Sequence, residues 1–226
     1  MKKTIDELKE EIVRVAKAEY HSGMVNIFEG NISVRTDDRF LITPSQVSKE
    51  TMTKDMIIEV DAAGNVLNDT GFKPSSELGM HLKVYELRKD VNAVVHNHSL
   101  YATAFAMNNK PIVSDSLVEV NITLGDVPVV PYGTPGTERI YKEFDKYIPD
   151  RYAVLLENHG VLSFGADLLL AYSYAEAVEK IAQTIFIADR IGSPVSLPEA
   201  ELPLLREFSL QKRRAEIQKR LDELDK

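Results

Sequence analysis

Val91-Asn92-Ala93-Val94-Val95-His96-Asn97-His98 is an apolar, β-branched run that closes on two histidines one residue apart. Extended backbone sends residues i and i+2 to the same face, so His96 and His98 project side by side at the end of a buried strand. Two imidazoles on one face form half of a metal site, although the pair equally fits core histidines satisfied by hydrogen bonds. Tyr152-Ala153-Val154-Leu155-Leu156-Glu157-Asn158-His159-Gly160 repeats the pattern: an apolar strand, polar residues, a histidine and a turn glycine. Of five histidines in the chain, these three end buried-type strands, whereas His21 and His81 fall in helical patterns and read as surface or capping residues. Three imidazoles suit zinc and related divalent ions, with a weaker carboxylate ligand where the site must open to substrate.

Glu77 is the carboxylate candidate. It stands in Lys73-Pro74-Ser75-Ser76-Glu77-Leu78-Gly79-Met80-His81, where a proline and two serines precede an amphipathic stretch (Leu78, Leu82, Tyr85, Leu87) and mark a helix start. Free backbone N–H groups, two hydroxyls and a carboxylate are thereby gathered in one region. The same residues also fit an ordinary cap, with Ser75 or Ser76 capping and Glu77 as a first-turn acid favoured by the helix dipole.

The elements that must position these groups follow from periodicity. Ile5, Leu8, Ile12, Val15 and Ala16 give a first helix an apolar stripe. Residues 30–35 and 40–43 read as a hairpin through Thr36-Asp37-Asp38, and 56–60 with 66–67 as another pair around 61–65. A helix over 76–89 leads into the His96 strand, and 128–131 reads as a short edge strand. A long helix over 168–190 is ended by Gly192 and Pro194, and a charged, solvated helix runs from about Leu204 to Leu224. Strands and helices interleave without strict βαβ alternation, which predicts an α/β fold: three α/β/α layers around a mostly antiparallel sheet.

Composition narrows the class. The 226 residues show no linker, repeat or low-complexity tract, so residues 1–226 read as one domain with a substantial core. The absence of cysteine removes disulfides, thiolate nucleophiles and zinc–thiolate sites together. No apolar stretch is long enough to span a bilayer, and the N-terminus is a charged amphipathic helix rather than a signal peptide. A formal charge of −8 argues against a nucleic-acid partner. These features predict a soluble cytoplasmic protein with neither membrane nor nucleic acid as a partner.

Gly30-Asn31-Ile32-Ser33, Thr43-Pro44-Ser45, Pro74-Ser75-Ser76-Glu77, His96-Asn97-His98 and Asn158-His159-Gly160 occur in the order and spacing of the class II aldolase/adducin family. The resemblance spans roughly Ile12 to Arg190. It is strongest to the branch acting on L-fuculose 1-phosphate, whose loop before a helix resembles Tyr132-Gly133-Thr134-Pro135-Gly136-Thr137. The resemblance implies that His96, His98 and His159 bind one divalent metal per chain, usually zinc, with manganese or cobalt as alternatives. It implies that Glu77 alternates between metal ligand and proton-transfer base. It also implies that Asn31, Thr43, Ser75 and Ser76 hold the substrate phosphate, and that the chain is a homotetramer with active sites at subunit boundaries.

The implied reaction is metal-dependent cleavage of a ketose 1-phosphate to dihydroxyacetone phosphate and an aldehyde. A divalent cation stabilises the charge that develops as the carbon–carbon bond breaks, and a nearby carboxylate moves the protons. A net acidic chain binds phosphate through local donors, which a helix start with serine hydroxyls supplies without a basic patch. Two departures stand out. Leu117 occupies the place of the family's proton-donating tyrosine, with no tyrosine in the tail beyond Leu205 to replace it, and Gln46 follows Thr43-Pro44-Ser45 where glycine is usual. They shift the expected substrate from L-fuculose 1-phosphate toward a 5-deoxy- or 5-methylthio-pentulose 1-phosphate. The alternative is a ribulose-5-phosphate 4-epimerase-like enzyme, whose branch typically has aspartate where Glu77 stands. A non-catalytic adducin-like interaction module is expected to lose the metal ligands, and all four are present.

Overall fold

The computed structural model describes residues 3–224. Helix α1 (Ile5–His21) starts in a capping box: the Thr4 hydroxyl accepts from the Glu7 N–H, while the Glu7 carboxylate accepts from the Thr4 N–H. β1 (Asn31–Arg35) and β2 (Phe40–Ile42) form the expected hairpin. β3 (Ile58–Val60) is shorter than predicted, because Lys54–Met56 forms a 3₁₀ turn; Val66 bridges back to Val60 around 61–65.

α2 (Leu78–Leu87) is two residues shorter at each end than the 76–89 expected. β4 (Ala93–Asn97) follows, then α3 (Leu100–Met107) and α4 (Val118–Thr123), two helices the periodicity did not separate. β5 (Val129–Val130) is the predicted short edge strand, and the single turn α5 (Phe144–Tyr147) precedes β6 (Ala153–Leu156) and β7 (Gly160–Gly165). α6 (Leu168–Ile191) is capped by the Asp167 side chain and ends at Gly192; α7 (Glu201–Leu224) is the charged terminal helix.

The strands order as β3-β2-β1-β4-β7-β6-β5, antiparallel except for the β5–β6 pair. Strand alternation divides the core between two faces. Ala93 and Val95 join Ile32, Val34 and Leu41 in packing against α1 and α6. Val94 joins Leu162 and Phe164 against Met80, Val84 and Tyr85 of α2 and Phe144 of α5. This is the three-layer α/β/α arrangement that the sequence predicts. His96, two residues after Val94, therefore turns toward α2, while Asn97 turns toward α1.

Candidate metal centre

His96 is the penultimate residue of the fully buried strand β4 and is itself inaccessible. Its Nδ1 lies 2.8 Å from the Val161 carbonyl on β7, so Nδ1 carries the proton and Nε2 presents a lone pair. That Nε2 is 3.1 Å from His98 Nε2 and 3.3 Å from Glu77 Oε2. His159, in the β6–β7 turn, places Nε2 3.4 Å from Glu77 Oε1. One ligating atom from each of the three histidines fits within a 4.8 Å span.

Not every contact in this cluster is a satisfied hydrogen bond. The His96 lone pair faces a carboxylate oxygen, and Glu77 Oε1 is buried without a hydrogen-bond partner. Burial, reinforced by His159 and His98, holds His96 well below the usual imidazole range. Burial also lowers His159, with Glu77 opposing the shift and His98 adding to it. Imidazole nitrogens converging with a carboxylate are the donor set a divalent cation takes. The residues fit the metal.

Local backbone explains the convergence. A Cβ on Gly160 would stand 2.4 Å from the Asn97 carbonyl oxygen and 2.8 Å from His98 Cδ2, so only glycine lets β7 begin against the end of β4. Gly160 is thus a close-approach glycine rather than a turn glycine. The left-handed turn residue is Asn158 (φ 56°), a type that tolerates that conformation. Gly30 does combine both demands, with φ 72° and a Cβ position 2.8 Å from the His96 carbonyl oxygen.

The remaining expected site residues lie beside this centre. Asn31 opens β1 opposite His96, and its Nδ2 donates to Glu77 Oε2 at 2.8 Å. The Ser45 N–H donates to the Lys73 carbonyl and the Ser75 N–H to the Thr43 carbonyl, which brings Thr43 next to the two serines. Thr43 is fully buried, and its hydroxyl accepts from the Ile32 N–H at 3.1 Å. Ser76 is exposed, whereas Ser75 is buried and accepts from the Glu77 N–H at 3.3 Å. Glu77 occupies the cap position of α2 with no side-chain capping bond, so neither a serine cap nor a first-turn acid describes this segment.

His81 departs from the expectation of a surface or capping residue. It is fully buried on the inner face of α2, with Nε2 2.6 Å from Asn31 Oδ1 and Nδ1 2.7 Å from Ser33 Oγ. The signal lies in spacing: Glu77 at the cap of α2, then His81 and Tyr85 within it, recur every fourth residue, opposite Asn31 and Ser33 at alternate positions of β1. His21 is exposed, as expected. Glu29 was also overlooked; its Oε1 lies 3.6 Å from His98 Nδ1. A cavity of about 270 Å³ joins Ser76 and Glu77 to Gly136, Thr137 and Tyr141, so the 132–137 loop does reach the site. Leu117 instead lines a separate cavity with Phe105 and Ile185.

Known proteins share both sequence and fold with this chain. Residues 10–186 match the family described as the Class II Aldolase and Adducin N-terminal domain. An L-fuculose phosphate aldolase of Escherichia coli O6:H1 is 35% identical over 179 residues, covering 79% of this chain and 82% of that relative. A 5-deoxy-D-ribulose 1-phosphate aldolase of Bacillus thuringiensis serovar kurstaki is 36% identical over 197 residues, covering 86% and 91%. The solved structure of an L-fuculose 1-phosphate aldolase superposes with a TM-score of 0.80 at 34% identity, covering 88% of this chain and 94% of that one. With the family match spanning most of its length and these identities beside it, the chain belongs to the class II aldolase and adducin N-terminal domain family.

Proposed function

We propose that this chain is a class II, metal-dependent aldolase that cleaves a ketose 1-phosphate to dihydroxyacetone phosphate and an aldehyde. The observation carrying this reading is the convergence of His96, His98 and His159 on a Glu77 carboxylate with an unpartnered buried oxygen. A non-catalytic member of the family would have no use for that set, because function resides in the site and not the fold. The relatives' activities on L-fuculose phosphate and 5-deoxy-D-ribulose 1-phosphate support the substrate class.

The bound cation, which we take to be zinc, supplies electrophilic stabilisation of charge on the substrate oxygens. Glu77, within reach of the same centre, takes and returns the proton. Asn31, Ser75 and Ser76 hold the phosphate; Thr43, buried with its hydroxyl taken by the Ile32 N–H, supports Ser75 through its carbonyl instead of touching the phosphate as expected. Residues 1–226 act as one domain in the cytoplasm, assembled as a homotetramer, and a proton donor in place of the missing tyrosine comes from another position. Tyr141, lining the cavity beside Ser76 and Glu77, is the candidate within the chain; burial raises its phenol, which keeps it protonated as a donor must be.

A retro-aldol screen over L-fuculose, 5-deoxyribulose and 5-methylthioribulose 1-phosphates, with dihydroxyacetone phosphate detected by a coupled enzyme, tests this reading. Cleavage of one of them is expected, lost in His96→Ala together with the metal. Interconversion of pentulose phosphate epimers without release of dihydroxyacetone phosphate would replace it with the epimerase reading.

A further inference from the structure

Two polar stripes face each other between β1 and α2 in an otherwise apolar layer. Their members form one continuous chain: Tyr85 Oη to Ser33 Oγ at 2.8 Å, Ser33 Oγ to His81 Nδ1 at 2.7 Å, His81 Nε2 to Asn31 Oδ1 at 2.6 Å, and Asn31 Nδ2 to Glu77 Oε2 at 2.8 Å. Donor and acceptor inventories fix the direction of every link. The Glu77 carboxylate only accepts, so Asn31 must present its NH₂ there and its carbonyl oxygen to His81. His81 must then donate from Nε2, which leaves Nδ1 as an acceptor for the Ser33 hydroxyl. Ser33, having donated its proton, accepts from Tyr85.

We propose that His81 is a positioning residue: held as the Nε2–H tautomer by Ser33 and Tyr85, it fixes the Asn31 amide so that its NH₂ orients the Glu77 carboxylate. Without His81, the Asn31 carbonyl oxygen loses its donor, and only the Glu77 carboxylate itself is left to select the amide orientation. A flipped amide would aim a carbonyl oxygen at a carboxylate. The chain is buried throughout, where each correctly made link strengthens its neighbours and each broken one exposes an unpaired polar group. Burial pushes His81 down to about 3, so it remains neutral and keeps both an acceptor and a donor nitrogen.

The proposal rests on the reading of Glu77 as the proton-transfer base, and two measurements separate them. Long-range nitrogen–proton NMR of histidine-labelled, metal-loaded enzyme should show one histidine as a neutral Nε2–H tautomer from pH 7 down to pH 5, its signal absent from His81→Gln. An Nδ1–H or charged His81 would overturn the proposal, whatever the activity. Kinetically, His81→Leu should keep its metal but lose about ten-fold or more in kcat, the usual scale for a group that orients a site residue. His81→Gln, which retains a donor toward Asn31, should recover most of that loss. Wild-type kcat in His81→Leu, or equal losses in the two variants at equal thermal stability, would also overturn it. If the wild-type enzyme cleaves no ketose phosphate while the NMR signature holds, the base assignment falls and the network stands.

Discussion

On the proposed reading Glu77 joins metal binding to proton transfer, and substitution separates the two roles. Its oxygens lie 3.3 Å from His96 Nε2 and 3.4 Å from His159 Nε2, yet three imidazoles can hold a cation without it. Glu77→Gln preserves size and the acceptor facing Asn31 while removing the base. Elemental analysis should find about one divalent ion per chain, as for a single closed ligand set. Turnover should fall about 10²-fold or more, the scale of lost general-base catalysis. Normal turnover would assign proton transfer to another group. The residue scale was well marked for the histidine cluster, because histidines near strand ends stand out in a chain with five. It was poorly marked for His81, whose helical setting looks the same whether the helix face is wet or buried.

Elements decide the shape of the loops that carry these residues. After β2, Gln46 stands at the place of a family glycine and keeps a left-handed backbone, φ 54°. The loop therefore retains the glycine-type conformation with a residue poorly suited to it, and its neighbours Ser45 and Ser75 stay tied to Lys73 and Thr43. Relieving that strain offsets the greater chain entropy of glycine, so Gln46→Gly should stabilise the fold by about 0.5–1 kcal/mol. Urea denaturation checks this; a loss of stability would mean that the Gln46 side chain makes a compensating contact.

On the far face of β4, α1 meets the strand through a fully buried Glu19, whose Oε1 accepts from Asn97 Nδ2 at 3.0 Å. Burial raises the Glu19 carboxyl to about 8, opposed by the Asn97 hydrogen bond and by buried Lys49. The folded state thus binds a proton that the unfolded chain releases near pH 4.5. A raised pKa gives stability that is fully present below the unfolded value and is lost as pH rises through the folded one. Relative to Glu19→Gln, the wild-type protein should lose stability between about pH 4.5 and 8, measured by chemical denaturation across that range. A constant difference would show Glu19 ionised in the fold.

At the scale of the whole molecule, large apolar side chains remain uncovered on three of the helices. Leu100 on α3 is 71% exposed, Ile191 at the end of α6 83%, and Phe208 on α7 60%. Closed rotational symmetry is the common way for such surfaces to be buried between identical chains. Light scattering should return a mass of four 25.4-kDa chains. A fully active monomer would mean that no neighbour contributes to the site and would leave proton donation to a group within the chain.

Composition and period were enough to determine the layer architecture, the antiparallel hairpin, the edge strand and the long C-terminal helices, because alternation and 3.6-residue spacing are local properties of the chain. The three converging histidines were legible for the same reason: each lies at or just past the end of a strand whose pattern is self-evident. Tertiary structure alone decided what faces what. Whether His81 meets solvent or Asn31, whether Thr43 lies open or buried, and whether Gly160 serves a turn or a close approach all depend on which element lies across the gap. Strand order and inter-element register set those answers, and neither is written in any short window of sequence.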